Sequence, residues 1–127
     1  MIRGIRGAIT VPKDDEGLIL AATEKLVLEI ISQNNLQAED VAHALITVTH
    51  DLHSTFPAKV LRNIEGWRYV PVMCSLEIPV PNSLEKCIRI LLTVNTTKGQ
   101  EDISHVYLEN ATILRPDLQL TEESKSS

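Results

Sequence analysis

Two charged residues interrupt the apolar runs in the middle of this sequence, and they are the first candidates for chemistry. Glu77 ends the apolar run that begins near Tyr69, and Arg89 lies inside the next run, between Ile88 and Ile90. Taking a charge out of water is costly, so a charge in a core strand must have a partner. That partner is either another residue of the protein or a bound ligand.

Several of the six arginines occupy positions that are predicted to lie in strands or close to their ends. A guanidinium group binds a carboxylate through two parallel hydrogen bonds, so a converging set of arginines favours a small ligand with more than one carboxylate. The alternative is internal pairing with some of the 17 acidic residues, and spacing alone leaves both alternatives open. The arginines concerned are Arg6, Arg62, Arg89 and Arg115.

The other reactive side chains form no recognisable catalytic motif. There is no Ser-His-Asp order and no glycine-rich nucleotide loop, and Cys74 has no recognisable base to activate it. His50 and His53 offer too few ligands for a metal site. We therefore predict no metal and no cofactor, and any reaction must depend on electrostatics and positioning.

Composition and charge limit the class of partner. The chain has 127 residues, 43% of them hydrophobic, which fits one domain, and its net charge of −5 argues against nucleic acid or a membrane surface as partner. An anionic ligand would therefore need locally placed cations. No signal peptide and no run of roughly 20 apolar residues is present. Cys74 and Cys87 are predicted to remain thiols, so we expect a soluble, cytoplasmic protein.

Alternating strand and helix patterns predict a single α/β (α+β) domain, a mixed sheet with helices. Residues 1–10 and 41–49 predict strands, although the start of 41–49 could equally be helical. The spacing of apolar residues from Ile19 to Ile30 predicts a helix that ends near Asn34. Residues 56–62 predict a short helix that places Lys59 and Arg62 on one face.

The central stretch predicts two strands. Pro71 cannot donate a ladder hydrogen bond, which favours an edge position for residues 70–77, where another subunit could cover the strand. Alternation puts Cys74 and Glu77 on opposite faces, so they can share a pocket only if the strand bends or the pocket lies between subunits. Residues 87–94 predict the clearest strand, with Arg89 among apolar neighbours, and residues 105–114 a last strand with Tyr107 and Arg115 in the same parity.

Five motifs run through the chain in register, almost without gaps. They are Ile-Arg-Gly-Ile-Arg-Gly-Ala at 2–8, Asp-Leu-His-x-x-Phe-Pro-Ala-Lys at 51–59, Gly-Trp-x-Tyr-Val-Pro-Val at 66–72, Lys-Cys-Ile-Arg at 86–89, and His-Val-Tyr-Leu-Glu with Leu-Arg-Pro-Asp-Leu at 105–118. Together they resemble the monofunctional, trimeric chorismate mutases of bacteria. The resemblance runs from Met1 to about Thr121 and implies a pseudo-α/β-barrel homotrimer with sites at the subunit interfaces. The domain is therefore expected at residues 1–120, and the polar composition of residues 121–127 predicts a flexible tail.

The resemblance also implies an activity, the isomerisation of chorismate to prephenate by a Claisen rearrangement in the shikimate pathway, toward phenylalanine and tyrosine. By similarity, Arg89 would donate to the ether oxygen, Arg6 and Tyr107 would hold a carboxylate, and Glu77 and Cys74 would meet the ring hydroxyl. Other residues would pack on the substrate, steer it or close over it, namely Phe56, Lys59, Arg62 and Arg115.

One position departs from the family pattern, because Met73 stands where a small polar Thr is expected before the Cys. Its backbone could still face the pocket, so it stays among the predicted substrate-binding residues. Two other functions remain open. One is a trimeric deaminase of enamines and imines that holds a carboxylate with an interface arginine, and the other is a non-catalytic module that binds small anions.

Overall fold

The alternating apolar residues of the N-terminal segment form a strand inside a five-stranded sheet. The computed structural model describes residues 1–114. Its strands are β1 (Ile2–Thr10), β2 (Val41–Val48), β3 (Val72–Leu76), β4 (Cys87–Asn95) and β5 (Val106–Leu108). Their order across the sheet is β3-β2-β4-β1-β5. Strand β4 is antiparallel to β1 and β2, whereas β3 is parallel to β2 and β5 is parallel to β1.

One long helix, α1 (Glu16–Asn34), covers one face of this sheet. It begins at Asp15, whose carboxylate accepts a hydrogen bond from the Leu18 N–H at 2.9 Å and so satisfies one of the unpaired amides of the first turn. It ends at Asn35, whose left-handed conformation (φ 51°) closes the last turn. The predicted helix is therefore confirmed, including its end near Asn34. No helix within residues 1–114 is both long and apolar enough to cross a membrane.

Short 3₁₀ helices occupy much of the remaining chain. They span Ala38–Asp40, Pro57–Asn63, Gln100–Asp102 and Glu109–Leu114. The second of these is the short helix predicted after Phe56, with Pro at its start as expected. It packs against α1 and against β3.

The predicted edge strand is confirmed, because β3 lies at one edge of the sheet and Pro71 directly precedes it. The prediction of a strand over residues 105–114 is wrong beyond Leu108. Glu109 takes a left-handed conformation (φ 54°) that no strand accommodates, and the chain continues as a 3₁₀ helix. The prediction that Tyr107 and Arg115 lie on the same side of one strand therefore no longer follows, because the strand ends at Leu108. Arg115, and the tail predicted at 121–127, lie outside the described residues.

The core lies between α1 and the sheet, and Gly7 is the position of closest approach. A Cβ atom on Gly7 would lie 2.7 Å from Ile30 Cδ1, 3.1 Å from Leu26 Cδ1 and 3.2 Å from Ile90 Cγ2. Ile30 and Leu26 are both fully buried, so neither end can move into solvent. The glycine thus sets how closely α1 packs on β1.

We expect Gly7→Ala to destabilise the fold by about 1–3 kcal/mol, the usual cost of overpacking a filled core. Gly4→Ala is the matched control on the same strand, since its Cβ would meet only Leu91 Cδ1, at an ordinary 3.5 Å. Chemical denaturation at equal protomer concentration measures both. Equal midpoints for the two variants would contradict the packing argument.

Candidate active site

A row of side chains crosses all five strands on the face of the sheet opposite to α1. In-register partners share a face, and Thr47 of β2 is the partner of both Arg89 of β4 and Ser75 of β3. Arg89 is also the partner of Ala8 of β1, which in turn pairs with Tyr107 of β5. The strand order thus places Arg89 near the middle of this face, which we call the open face.

Arg89 forms a two-pronged ion pair with Glu77. Arg89 Nε donates to Glu77 Oε2 at 2.6 Å and Arg89 Nη2 donates to Glu77 Oε1 at 2.5 Å. Glu77 lies just beyond β3, where its N–H donates to the Val48 carbonyl at 2.9 Å, and the Thr47 hydroxyl donates to Glu77 Oε2. The partner that the sequence analysis required for Arg89 is therefore Glu77, and the partner required for Glu77 is Arg89.

Both groups of this pair are held in their charged forms. Hydrogen bonds from Arg89 lower the pKa of Glu77, outweighing the partial burial that would raise it, and the Thr47 hydroxyl adds to the lowering. The same hydrogen bonds raise the pKa of Arg89. The Glu77 side chain is 15% exposed and that of Arg89 is 54% exposed, so Glu77 anchors a guanidinium group that still reaches solvent.

A cavity of about 270 Å³ opens beside this pair and brings three of the predicted residues together. Arg6, Arg89 and Tyr107 all line it, with Thr47 at one side. Within residues 1–114 no carboxylate forms an ion pair with Arg6. Glu77 engages only two of the five N–H donors of Arg89. The cavity therefore offers two guanidinium groups and a phenol, which suits a small carboxylate ligand. We call these residues the arginine cluster.

A second cavity, of about 810 Å³, collects four other predicted residues, Phe56, Lys59, Arg62 and Cys74. Lys59 and Arg62 both belong to the 3₁₀ helix Pro57–Asn63, where residues three apart are eclipsed, so both side chains lie on one side. Arg68 also lines the cavity, and no acidic residue does. We call this group the lysine cluster.

The two clusters lie on opposite faces of the sheet. Cys74 pairs with Ile46, a fully buried residue on the α1 side, whereas Thr47 and Arg89 lie on the open face. The expectation that Cys74 and Glu77 point to different faces agrees with this, because Glu77 turns toward Arg89 while Cys74 does not. Met73 is 72% exposed on the open face and lines neither cavity.

The segment from His50 to His53 serves local structure. Asp51 accepts hydrogen bonds from the Lys86 N–H at 3.0 and 3.1 Å and from the Thr49 hydroxyl at 2.5 Å, so it joins the end of β2 to the start of β4. Partial burial alone would raise the pKa of Asp51, but these hydrogen bonds together lower it. His53 Nε2 lies 3.2 Å from the Asp14 carboxylate.

Of the two cysteines, Cys87 is buried and burial raises its pKa to about 11, so it is a neutral thiol at the start of β4.

Two residues of these cavities escaped the sequence analysis. Thr47 could have been found from its in-register position opposite Arg89, which requires the strand pairing. Arg68 occupies the unspecified position of the motif at 66–72, so the motif gave no signal for it.

Comparisons with known proteins all identify the same family. Residues 2–118 match the family model described as chorismate mutase type I. The chain is 50% identical to the chorismate mutase AroH of Bacillus subtilis (strain 168) over 125 residues, which is 98% of each chain. It is 47% identical to the AroH chorismate mutase of Thermus thermophilus over 120 residues, 94% of this chain and 98% of that protein. A solved chorismate mutase from Clostridium thermocellum superposes with a TM-score of 0.85 at 46% identity, covering 87% of this chain and 98% of its own.

The ion pair predicts how stability depends on pH. Since Arg89 lowers the pKa of Glu77 in the folded state, the pair contributes its full stability above the unfolded value near 4.5 and loses it as pH falls through the lowered value. We therefore expect the difference in unfolding free energy between the wild type and Glu77→Gln to be constant near neutral pH and to shrink in acid. Glu85→Gln, at an exposed loop carboxylate, is the control. A difference that stays constant into strong acid would contradict the assigned ion pair.

Proposed function

The chain belongs to the chorismate mutase type I family and is a chorismate mutase, an isomerase of aromatic amino acid biosynthesis that converts chorismate to prephenate. From this premise we propose that the arginine cluster of one subunit carries the chemistry, with the Arg89–Glu77 ion pair at its centre. The observation that carries the proposal is a guanidinium group that is anchored on one side by a carboxylate and lines, with Arg6 and Tyr107, a cavity on the open face.

The reaction needs no nucleophile, base or cofactor, because one bond forms as another breaks within the same molecule. The ether C–O bond of chorismate breaks while a C–C bond joins the enolpyruvyl group to the ring, and negative charge develops on the ether oxygen. Arg89 donates a hydrogen bond to that oxygen. A preorganised donor of this kind stabilises a transition state by about 3–4 kcal/mol.

The ion pair with Glu77 prepares Arg89 for this role. Glu77 holds the guanidinium in place before substrate binds, so little reorganisation accompanies the reaction. Arg6 and Tyr107 bind a substrate carboxylate in the same cavity, which restrains the flexible enolpyruvyl group over the ring. Restraining the reacting atoms in a near-attack geometry contributes further to the rate.

We further propose a homotrimer in which the lysine cluster of one subunit completes the arginine cluster of its neighbour. Two observations support it. The clusters lie on opposite faces of the sheet of one chain, and the edge strand β3 and the segment after it expose large apolar side chains, among them Met73, Leu76 and Ile78. In that assembly Phe56 packs on the ligand, Lys59 and Arg62 attract its two carboxylates, and Cys74 reaches the ring hydroxyl near Glu77.

The roles of Met73 and Arg115, the domain at residues 1–120 and the tail at 121–127 remain part of this proposal. Met73 would contribute its backbone, and Arg115 would close over the dianion. We place the enzyme in the cytoplasm, where the two thiols, which form no disulfide, would stay reduced. Family membership favours this function over an imine deaminase and over a non-catalytic module.

The test of the proposed chemistry is the loss of chorismate absorbance with purified protein in EDTA, with the product identified as prephenate. We expect rapid conversion by the wild type and a fall in kcat of about 10²–10³-fold in Arg89→Lys, because a point charge replaces a fork that can hold Glu77 and the ether oxygen together. Arg3→Lys is the matched control, because Arg3 lines neither cavity. Its Nε donates a hydrogen bond of 3.0 Å to the Lys98 carbonyl. Wild-type turnover in a folded Arg89→Lys variant would refute the role of Arg89.

A further inference from the structure

We propose that Thr47 is a positioning residue for the reaction, because its hydroxyl holds Glu77 in the orientation that presents the Arg89 guanidinium to the cavity. This inference rests on the proposed function and deepens it. Thr47 acts through Glu77 and need not touch the substrate.

The geometry of the three residues supports this role. Glu77 Oε2 accepts from two donors, Arg89 Nε at 2.6 Å and the Thr47 hydroxyl, while Glu77 Oε1 accepts from Arg89 Nη2. Thr47 is the in-register partner of Arg89, so the shared carboxylate oxygen lies above the β2–β4 pairing. The two hydrogen bonds to Oε2 arrive from neighbouring strands and restrict rotation of the carboxylate.

The Glu77 side chain needs such a restraint because Glu77 lies beyond the end of its strand, where the backbone does little to fix the orientation of the carboxylate. It follows the last residue of β3 at the sheet edge, and the next residue, Ile78, is 81% exposed. The backbone is held there by the hydrogen bond from the Glu77 N–H to the Val48 carbonyl. Thr47, by contrast, lies on β2 between β3 and β4, and its β-branched side chain has few accessible rotamers. The rigid strand therefore orients the carboxylate at the edge.

The groups that titrate or carry charge around Glu77 determine how this can be measured. Arg89 faces it from β4, and His50, Asp51 and Glu85 share with it a cavity of about 200 Å³ on the other side. Cys87 also lies within electrostatic reach, as a thiol that burial keeps neutral at working pH. Because several ionisable groups surround Glu77, activity alone cannot report on it, and its carboxylate must be observed directly.

The experiment compares Thr47→Val, which keeps the shape and removes the hydroxyl, with Thr47→Ser, which keeps the hydroxyl. Thr93→Val makes the same chemical change on the same face of β4, opposite Gly4 and His43. For each variant, kcat and KM are measured, and the Glu77 carboxyl carbon is titrated by NMR with Glu77→Gln to assign the signal. Thermal unfolding and gel filtration establish that each variant folds and assembles, and Thr47→Ala supplies a second variant without the hydroxyl.

We expect Thr47→Val to lower kcat about tenfold with a smaller change in KM, and to move the Glu77 titration to higher pH, because a hydrogen bond to the ionised form is lost. Thr47→Ser should stay within about threefold of wild type in kcat, and Thr93→Val should match wild type. Equal losses in the Val and Ser variants, or an unchanged Glu77 titration in Thr47→Val, would overturn the proposal. A wild type that does not convert chorismate would instead refute the proposed function, while the titration would still test whether Thr47 holds Glu77.

Discussion

An ion pair between Arg89 and Glu77 joins strand β4 to the end of β3 across β2. The Glu77 side chain is only 15% exposed, and a carboxylate with so little access to water requires a partner. Three strands meet this requirement together. Strand β4 presents the guanidinium, the end of β3 returns the carboxylate, and β2 separates them at the right distance while contributing the Thr47 hydroxyl. An arrangement that satisfies the fold also leaves the guanidinium oriented for a ligand.

Charge explains why the remaining cations are arranged as they are. A chain with a net charge of −5 repels a dianionic substrate at long range, so binding depends on local surfaces rich in cations. The lysine cluster is such a surface, since Lys59, Arg62 and Arg68 line one cavity without an acidic residue. Lys59 also pairs with Glu16, which lies outside the lining, at 3.4 Å. The open face adds Arg6 and Arg89, the second already neutralised in part by Glu77. The two clusters lie on opposite faces of the sheet in one chain, and the proposed trimer joins them.

Much of this could be predicted from the sequence, and the failures have physical causes. Periodicity located α1 and the strands, Pro71 indicated the sheet edge, and alternation placed Arg89 among apolar neighbours. Sequence order could not show that Glu77 is the partner of Arg89, because β2 lies between their strands and strand order depends on tertiary pairing. The last strand was overextended because apolar residues continue past Leu108, while a left-handed backbone at Glu109 ends the ladder. Thr47 was also missed because its importance depends on tertiary strand pairing, which places it opposite Arg89 only when β2 and β4 are paired.

The claim that two chains share each site is tested most directly by mixing two variants. Arg89→Lys disables the arginine cluster, and Arg62→Ala disables the lysine cluster. In the proposed homotrimer of either variant alone, every site therefore contains one damaged cluster. After the two proteins are unfolded and refolded together, random assembly would give about a quarter of the sites both intact clusters, and close to a quarter of wild-type activity should return. Activity no higher than the average of the two separately refolded variants would contradict a site that is shared between two chains.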